Sequence, residues 1–301
     1  MVVMNPFKSA SSMKAKTPII VSLVGESSCG KTYSALRLAT GLTNNPKEIF
    51  LIDTENRGAM YADIFGDYQV ANVSEYAVAV GRPTHRPQNY IELIDIAKKN
   101  GAKVLIIDSL SDPWAGDGGC VSWAAALKEK YESTHNGRQA GISVWALPKA
   151  SYSEMMNKIC NSSMNIIFTF RTKEIVDVQK NEYGKAVVKE EKKTEIVRES
   201  GNKYNITWEL HLDGTTKKIA KIGKTFDGGD WIFKSGELLT EEHAKRMLEW
   251  QNATKESVIS AGRQAKDRKA WFESLNPAEK RLATQFADEI KQEQTITEEN
   301  L

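Results

Sequence analysis

From residue 18 to residue 171 the chain alternates short apolar runs with segments whose apolar residues recur at helical spacing. The apolar runs are rich in Val, Ile and Phe and contain few polar residues, which is typical of strands buried on both faces of a parallel sheet. The runs predicted as strands are residues 19–24, 48–52, 76–80, 104–107 and 165–170. The segments predicted as helices are residues 33–42, 88–100, 123–132 and 152–161. This alternation indicates βαβ units and a doubly wound, mostly parallel α/β sheet.

The pattern changes in the second half of the chain. Residues 174–203 are dense in both Lys and Glu, and Tyr183-Gly184 within them is a candidate hairpin turn. Residues 205–212 and 218–222 are predicted as late antiparallel strands joined at Asp213-Gly214.

The C-terminal part is predicted to be helical. Helical spacing begins at Thr240, and Asn276-Pro277 predicts a further helix with Pro in its first turn. We therefore expect a flexible basic tail at residues 1–17, an α/β core at 18–235 and a helical region at 236–301.

Composition limits the possible classes of function. The 41 Lys and Arg against 39 Asp and Glu give a net charge of +2, so any nucleic-acid surface must be a local patch. No apolar run approaches the roughly 20 residues of a membrane span, and the N-terminal segment lacks a signal-peptide core. Cys29, Cys120 and Cys160 suit a reducing compartment, with no disulfide framework or zinc site. These features predict a cytoplasmic protein without a membrane partner.

The strongest chemical signal lies between the first predicted strand and the first predicted helix. It fits the pattern G-x-x-x-x-G-K-[ST] at every fixed position, as Gly25-Glu26-Ser27-Ser28-Cys29-Gly30-Lys31-Thr32. The glycines let backbone N–H groups converge on phosphate oxygens, and the following helix adds its positive N-terminus. Lys31 supplies a charge for the β- and γ-phosphates, and the Thr32 hydroxyl can ligate Mg²⁺. We predict that this phosphate loop and the adjacent Tyr33 bind ATP with Mg²⁺.

A second signal is a carboxylate at the end of an apolar run. The run at residues 104–107 ends in Asp108, which a parallel sheet would place at its carboxyl edge beside the phosphate loop. There the carboxylate can hold the hydration shell of Mg²⁺. The predicted metal residues are therefore Thr32 and Asp108.

The apolar run at residues 48–52 is followed by two further carboxylates, Asp53 and Glu55. Attack of water on a γ-phosphate needs a group that orients or deprotonates the water. Glu55 can point into the crevice from two residues beyond the strand end, but either carboxylate could instead cap the chain or pair with Arg57. Spacing alone leaves this choice open. We take Glu55, with Lys31 and Asp108, as the candidate catalytic set.

Together these residues resemble the core of the RecA-type recombinases. In that family a strand ending Ile-Asp-x-Glu follows the phosphate loop and its glutamate activates water, which corresponds here to Ile52-Asp53-Thr54-Glu55. The family's metal-site strand often continues Asp-Ser, as Asp108-Ser109 does, and a later strand ends in an Arg-x-Lys step, as at Arg171-Thr172-Lys173. The resemblance implies a RecA-like P-loop NTPase fold and a Mg²⁺-dependent ATPase.

The sequence resembles most closely the short, core-only phage ATPases of this class, which are linked to single-strand annealing and recombination. The matching residues are Asp108-Ser109-Leu110-Ser111, Trp114, Trp145, Pro148-Lys149, residues 203–210, Lys221 and Lys224. The resemblance covers roughly residues 18–226. It implies DNA recombination or annealing on single-stranded DNA, with DNA-stimulated hydrolysis, in the host cytoplasm if the protein is phage-encoded. It also implies self-assembly into an oligomer or filament, and contact with a single-strand-binding or replication protein.

Two groups of basic residues are assigned on weaker grounds. Residues 216–225 contain four lysines and no acid; by resemblance to the lysine fingers of RecA-type filaments, Lys221 or Lys224 is expected to reach an ATP held by a neighbouring subunit. A solvated strand edge is the alternative. The candidates for contact with DNA phosphates are Arg171, Lys173, Lys180 and Lys185, although glutamates are interleaved with them.

The chain departs from the RecA pattern at two places. Thr169 stands near the position of the glutamine that senses the γ-phosphate in that family, and the charged segment 174–203 replaces a glycine-rich DNA loop. An alternative function is therefore kept: a nucleotide-gated protein that loads or remodels a replication protein and has little direct affinity for DNA. A metabolic kinase is disfavoured, because the sequence offers neither a second substrate site nor lid arginines.

Overall fold

The computed structural model describes residues 7–175, 178–180, 186–188, 193–226 and 229–292. Two compact units are present: Ile19–Glu241 forms one, and Met1–Pro18 with Glu242–Leu301 forms the other. No helix in the described ranges combines the length and apolar character needed to cross a bilayer.

The helices and strands follow in chain order. The strands are β1 Ile20–Gly25, β2 Ile49–Asp53, β3 Gln69–Asn72, β4 Val104–Asp108, β5 Asn165–Ile175, β6 Val178–Lys180, β7 Ala186–Val188, β8 Lys193–Ile196, β9 Trp208–Leu212 and β10 Ile219–Lys224. The helices are α1 Ala10–Lys14, α2 Lys31–Thr43, α3 Ala62–Phe65, α4 Val73–Ala79, α5 Pro87–Lys99, α6 Asp112–Ala115, α7 Cys120–Thr134, α8 Ala146–Cys160, α9 Glu241–Asn252, α10 Lys255–Gln264, α11 Arg268–Ser274, α12 Pro277–Gln285 and α13 Ala287–Gln292. Short 3-10 turns lie at Pro46–Glu48, Gly58–Tyr61, Ile142–Trp145 and Ser200–Asn205.

The main sheet has the strand order β10-β9-β1-β5-β4-β2-β3. Its neighbouring strands are parallel except for β9 and β10, which are antiparallel. The outer half of β5 also pairs in antiparallel fashion with β8. The sequence prediction of a mixed α/β fold with a mostly parallel sheet and late antiparallel strands is confirmed.

Burial explains why the apolar runs form the centre of this sheet. Every residue of β1 and of β4 is buried, and helices on the sheet add large side chains such as Tyr90 and Tyr152 to the same core. Each fully buried Leu, Ile or Phe contributes about 1.5–3 kcal/mol to folding. Truncating Phe168, which is wholly buried in β5, would therefore cost about 3–5 kcal/mol.

The register of the sheet determines which strand ends meet. Gly25 at the end of β1 is paired with Arg171 in β5, and Asp53 at the end of β2 is paired with Asp108 at the end of β4. Because these strands are parallel, their carboxyl ends lie along one edge of the sheet.

The strand predicted at residues 76–80 is wrong, because the segment belongs to α4. Asn72 caps this helix by accepting a hydrogen bond from the Glu75 N–H at 3.0 Å. Val73 and Ala77 are buried while Val78 is 82% exposed, and burial at i and i+4 is the helical pattern. The edge strand β3 lies just before this segment.

Part of the N-terminal segment, for which the sequence predicts a flexible tail, forms a short helix. Residues 10–14 form α1, and the Ser9 hydroxyl caps it by accepting from the Ser12 N–H. Lys14 donates to the Ala253 carbonyl at 2.6 Å, and Gln251 donates to the Thr17 carbonyl at 2.6 Å. These contacts tie the segment to the C-terminal residues of its own unit.

Turn chemistry accounts for two of the later boundaries. The Asp213 side chain accepts from the N–H groups of Thr215 and Thr216, which forms the predicted turn between β9 and β10. Asn276 and Glu279 form a capping box at the start of α12. The predicted Tyr183-Gly184 turn lies outside the described residues, although β6 and β7 on either side of it form an antiparallel pair.

Candidate functional site

The phosphate loop runs from the end of β1 to the start of α2. Ser28 and Gly30 have left-handed backbones, with φ of 64° and 85°, and this curls the chain between strand and helix. Gly25 is required for a different reason: a Cβ there would lie 2.5 Å from the Sγ of the buried Cys29. The glycines at both ends of the motif are thus fixed by geometry.

Lys31 holds its ammonium group against this loop. Its Nζ donates to the carbonyl oxygens of Gly25 at 3.0 Å and of Glu26 at 2.6 Å. The positive charge therefore lies beside the curled backbone, at the N-terminus of α2, where the helix dipole also favours an anion.

Asp108 lies within hydrogen-bonding distance of two hydroxyl groups. Its Oδ2 accepts from Thr32 Oγ1 at 2.5 Å and its Oδ1 accepts from Thr169 Oγ1 at 2.5 Å. The Asp108 side chain is buried, with 7% exposure. A buried carboxylate next to a threonine hydroxyl is the all-oxygen donor set that suits Mg²⁺.

The two carboxylates after β2 occupy different environments. Asp53 is buried, and its oxygens accept from the Glu55 N–H at 2.9 Å and from the Gly58 N–H at 2.7 Å. A carboxylate engaged in this way holds a turn. Glu55 has an exposed side chain that lines the cleft described next.

A cleft of about 560 Å³ brings these elements together at the carboxyl edge of the sheet. It is lined by Ser27, Ser28, Gly30, Lys31, Thr32, Asp53, Glu55, Arg57, Gly58, Met60, Tyr61, Asp108 and Arg171. Lys31, Thr32, Asp108 and Glu55, which were predicted for phosphates, metal and water activation, thus meet in one place. Four other residues predicted to bind the nucleotide are not in this lining: Gly25, Glu26, Cys29 and Tyr33.

Comparison of the sequence with known protein families shows the family to which the chain belongs. A family model described as an AAA domain matches residues 17–218. The chain belongs to this AAA domain family. The match runs from the residue before Pro18, through the phosphate loop and the β2 and β4 strand ends, to the turn after β9. The sequence matches none of the curated proteins with which it was compared.

Membership in the AAA domain family makes residues 17–218 a nucleotide-binding ATPase domain. The prediction of a P-loop ATPase is confirmed at this level. The more specific RecA-type and phage assignments remain predictions.

A set of contacts that the sequence did not predict lies next to residues lining the AAA domain's cleft. The Thr54 hydroxyl accepts from the Ser109 N–H at 2.9 Å and lies 2.6 Å from Asp112 Oδ2. Asp112 also forms an ion pair with Arg171. Through Asp112 at the start of α6, these contacts join the ends of β2 and β4 to Arg171 in β5. The available signal was a second acid four residues after Asp108, followed by Pro113.

Of the four candidate DNA-contacting residues, Arg171 and Lys173 have described side chains, and these two occupy different environments in the AAA domain. Arg171 lines the nucleotide cleft and is paired with Asp112, so it belongs to the cleft. Lys173 is exposed and lies 3.2 Å from Glu195. The Lys180 side chain and Lys185 lie outside the described residues.

The lysines of residues 216–225 also lie in different places. None of the described residues that line the cleft lies on β10, which carries Lys221 and Lys224. Lys224 donates to the Lys203 carbonyl at 2.8 Å, and burial lowers the pKa of Lys224. Lys217 of the preceding turn instead reaches the phosphate loop and donates to the Ser28 carbonyl. Sequence reasoning noted Lys217 only as part of the lysine-rich segment.

An aromatic group borders the cleft on the side of α2. The ring centroids of Tyr33 and Tyr61 are 5.7 Å apart, and those of Tyr33 and Phe65 are 5.1 Å apart. Met60 beside them is 70% exposed. This surface offers apolar contact area next to the phosphate loop.

Proposed function

We propose that the AAA domain hydrolyses ATP with Mg²⁺ by a RecA-type arrangement of residues. The observation that carries the proposal is the meeting of Lys31, Asp108 and Glu55 in one cleft at the carboxyl edge of the sheet. These three side chains supply a cation for phosphates, a metal-binding carboxylate and a carboxylate that can accept a proton. They come from three different elements, so a chance motif match does not account for their proximity.

Phosphate binding is assigned to the loop and the start of α2. The N–H groups of the curled backbone and the Lys31 ammonium bind the phosphate oxygens. The Thr32 hydroxyl and the Asp108 carboxylate would hold Mg²⁺, directly or through water, and the ion would neutralise charge on the β- and γ-phosphates. Tyr61 and Met60 supply an apolar contact for the base.

Hydrolysis is assigned to Glu55. The carboxylate orients a water molecule and accepts its proton as the water oxygen bonds to the γ-phosphorus and the bond to the bridging oxygen of ADP breaks. Asp53 is unsuited to this role, because both its oxygens are engaged by backbone N–H groups. Arg57 and Arg171 also line the cleft and can stabilise the charge of the transition state.

The biological role we propose is recombination or annealing on single-stranded DNA, by an assembly of several copies in the cytoplasm. It is supported by the resemblance to core-only phage ATPases and by the course of β5, which runs from Thr169 beside Asp108 outward to Lys173. A nucleotide-dependent shift at Asp108 can thereby reach Lys173 and the charged segment that follows it. Measuring ATP turnover with and without single-stranded DNA, at low and moderate salt, tests this role.

One observation favours the alternative of a nucleotide-gated loader. Lys173 forms an ion pair with Glu195, so its charge is already balanced, whereas DNA binding depends on cations that exchange with counterions. A wild-type protein that hydrolyses ATP but shows neither DNA binding nor stimulation would support the loader. A single-strand-binding or replication protein would then be the partner to test.

A further inference from the structure

Lys217, in the turn between β9 and β10, touches the phosphate loop. Lys217 lies 189 positions from Ser28 in the sequence, and its ammonium donates to the Ser28 carbonyl and to the Gly214 carbonyl within the turn. Its methylene groups lie alongside Gly30, where an added Cβ would be 3.7 Å from Lys217 Cβ. Lys217 therefore hydrogen-bonds to Ser28 and lies beside Gly30, the two left-handed residues of the loop.

The backbone of the turn directs Lys217 toward the loop. Lys217 has a left-handed φ of 61°, a conformation that lysine rarely adopts. It is held there because the Lys217 N–H donates to the Asp213 carbonyl at 3.0 Å, while the Asp213 carboxylate accepts from Thr215 and Thr216. The side chain is thus presented by an ordered turn.

The contact has a consequence for phosphate binding. A loop that binds phosphate aims its N–H groups at the anion, so its carbonyl groups must turn elsewhere. A cation that binds one of these carbonyls stabilises the same backbone orientation. Lys217 thereby favours the phosphate-accepting shape of the loop before any nucleotide arrives, which lowers the reorganisation needed on binding.

We propose that Lys217 is a positioning residue of the phosphate loop, acting within its own chain and linking the β9–β10 turn to nucleotide affinity. This inference rests on the proposed ATP-binding function. Since Lys217 contacts the loop backbone, it should raise the affinity for ADP and for ATP equally. Catalysis at Glu55 should depend on Lys217 only through binding.

The test compares Lys217→Asn with wild type. Asparagine tolerates a left-handed backbone but removes the ammonium, and Lys217→Gly serves as a second variant that removes any backbone strain. We expect the Kd values for ADP and for ATP to rise by roughly tenfold, the factor that corresponds to the weak end of a hydrogen bond to a charged group. The kcat at saturating ATP should stay within about twofold, since uniform binding affects KM rather than kcat.

Two controls isolate the ammonium of Lys217. Lys217→Arg should recover most of the affinity, and Lys218→Asn, at the exposed neighbouring position, should bind like wild type. Equal melting temperatures without nucleotide would show that the variants are folded.

Several outcomes would overturn the inference. These are unchanged Kd values in folded Lys217→Asn and Lys217→Gly, a loss confined to ATP, or a fall in kcat with unchanged affinity. If wild type itself binds neither nucleotide, the proposed function fails and this inference fails with it. If wild type binds nucleotide and the Lys217 variants bind it equally well, this inference fails and the proposed function stands.

Discussion

Thr32 Oγ1 lies 2.5 Å from Asp108 Oδ2, and this contact joins the first turn of α2 to the carboxyl end of β4. The two residues are 76 positions apart in the sequence. Their proximity results from the strand order, in which β5 lies between β1 and β4. Among the described residues Asp108 has no ion-pair partner, so a bound cation would be its natural counter-charge.

Replacing Lys31 with Ala is expected to abolish turnover and to weaken ATP binding strongly, because the residue carries the charge assigned to the phosphates. The fold should survive, since Lys31 is partly exposed and its bonds are to loop carbonyls. Steady-state ATPase and nucleotide-binding assays would measure both effects. Lys47→Ala, at an exposed lysine, is the control; full activity in folded Lys31→Ala would refute the site.

Glu55→Gln should bind ATP nearly normally and hydrolyse it roughly 10²-fold or more slowly, if the carboxylate takes the proton of water. Its melting temperature should be unchanged because the side chain is exposed. Single-turnover hydrolysis measures the chemical step directly.

Asp53→Asn is the matched comparison for Glu55→Gln. An amide nitrogen in place of one oxygen would face a backbone N–H, so we expect a loss of about 1–3 kcal/mol of stability. Thermal or urea unfolding would detect it. If Asp53→Asn instead folds normally and loses only hydrolysis, while Glu55→Gln stays active, the two assignments must be exchanged.

His85 should make stability depend on pH. Burial, and secondarily the positive charge of Arg171, lower the pKa of His85 from 6.5 to about 4. Between these values the unfolded chain binds a proton that the folded chain does not, so stability falls as pH falls from 6.5 toward 4. The melting temperature of His85→Gln should fall less than that of wild type between pH 7 and pH 5. The melting temperature of His135→Gln should fall as much as that of wild type. Equal losses in all three proteins would contradict the assignment.

A trans role for Lys221 or Lys224 predicts complementation between inactive subunits. Mixing Lys31→Ala protein with the double variant Lys221→Ala/Lys224→Ala should restore part of the ATPase activity, because a mixed interface can pair an intact loop with intact lysines. Sedimentation should show assembly strengthened by nucleotide or DNA. A strictly monomeric active enzyme with no recovery on mixing would remove this role.

The DNA-contact prediction is best tested without Arg171, since that residue lines the cleft. Neutralising Lys173, Lys180 and Lys185 should reduce the salt slope of single-strand binding by about 0.7 for each lost phosphate contact. ATPase activity without DNA should stay near wild type. Arg171→Ala, by contrast, should lower both stability and DNA-free activity, because it leaves Asp112 without its ion-pair partner. A salt slope unchanged in the triple variant would place DNA contact elsewhere.

The sequence by itself determined the phosphate loop, the buried strands and the carboxylate at the end of β4. These features are encoded locally: a fixed motif between strand and helix, continuous apolar runs, and an acid directly after one of them. Residues 76–80 were misassigned because their apolar side chains suit a strand locally, while the Asn72 cap and the burial of Val73 and Ala77 favour a helix over residues 73–79.

Only the tertiary structure distinguished the environments of Asp53 and Glu55, placed Arg171 in the cleft, and brought Lys217 to the phosphate loop. The environment of Asp53 depends on how the chain turns after β2, where backbone N–H groups engage its carboxylate. The other two depend on which groups meet across the fold: Arg171 pairs with Asp112 of α6, and Lys217 reaches Ser28 across 189 positions of sequence. Spacing along a chain carries no record of such contacts, because they arise only when the strand order and the turn geometry bring distant segments together.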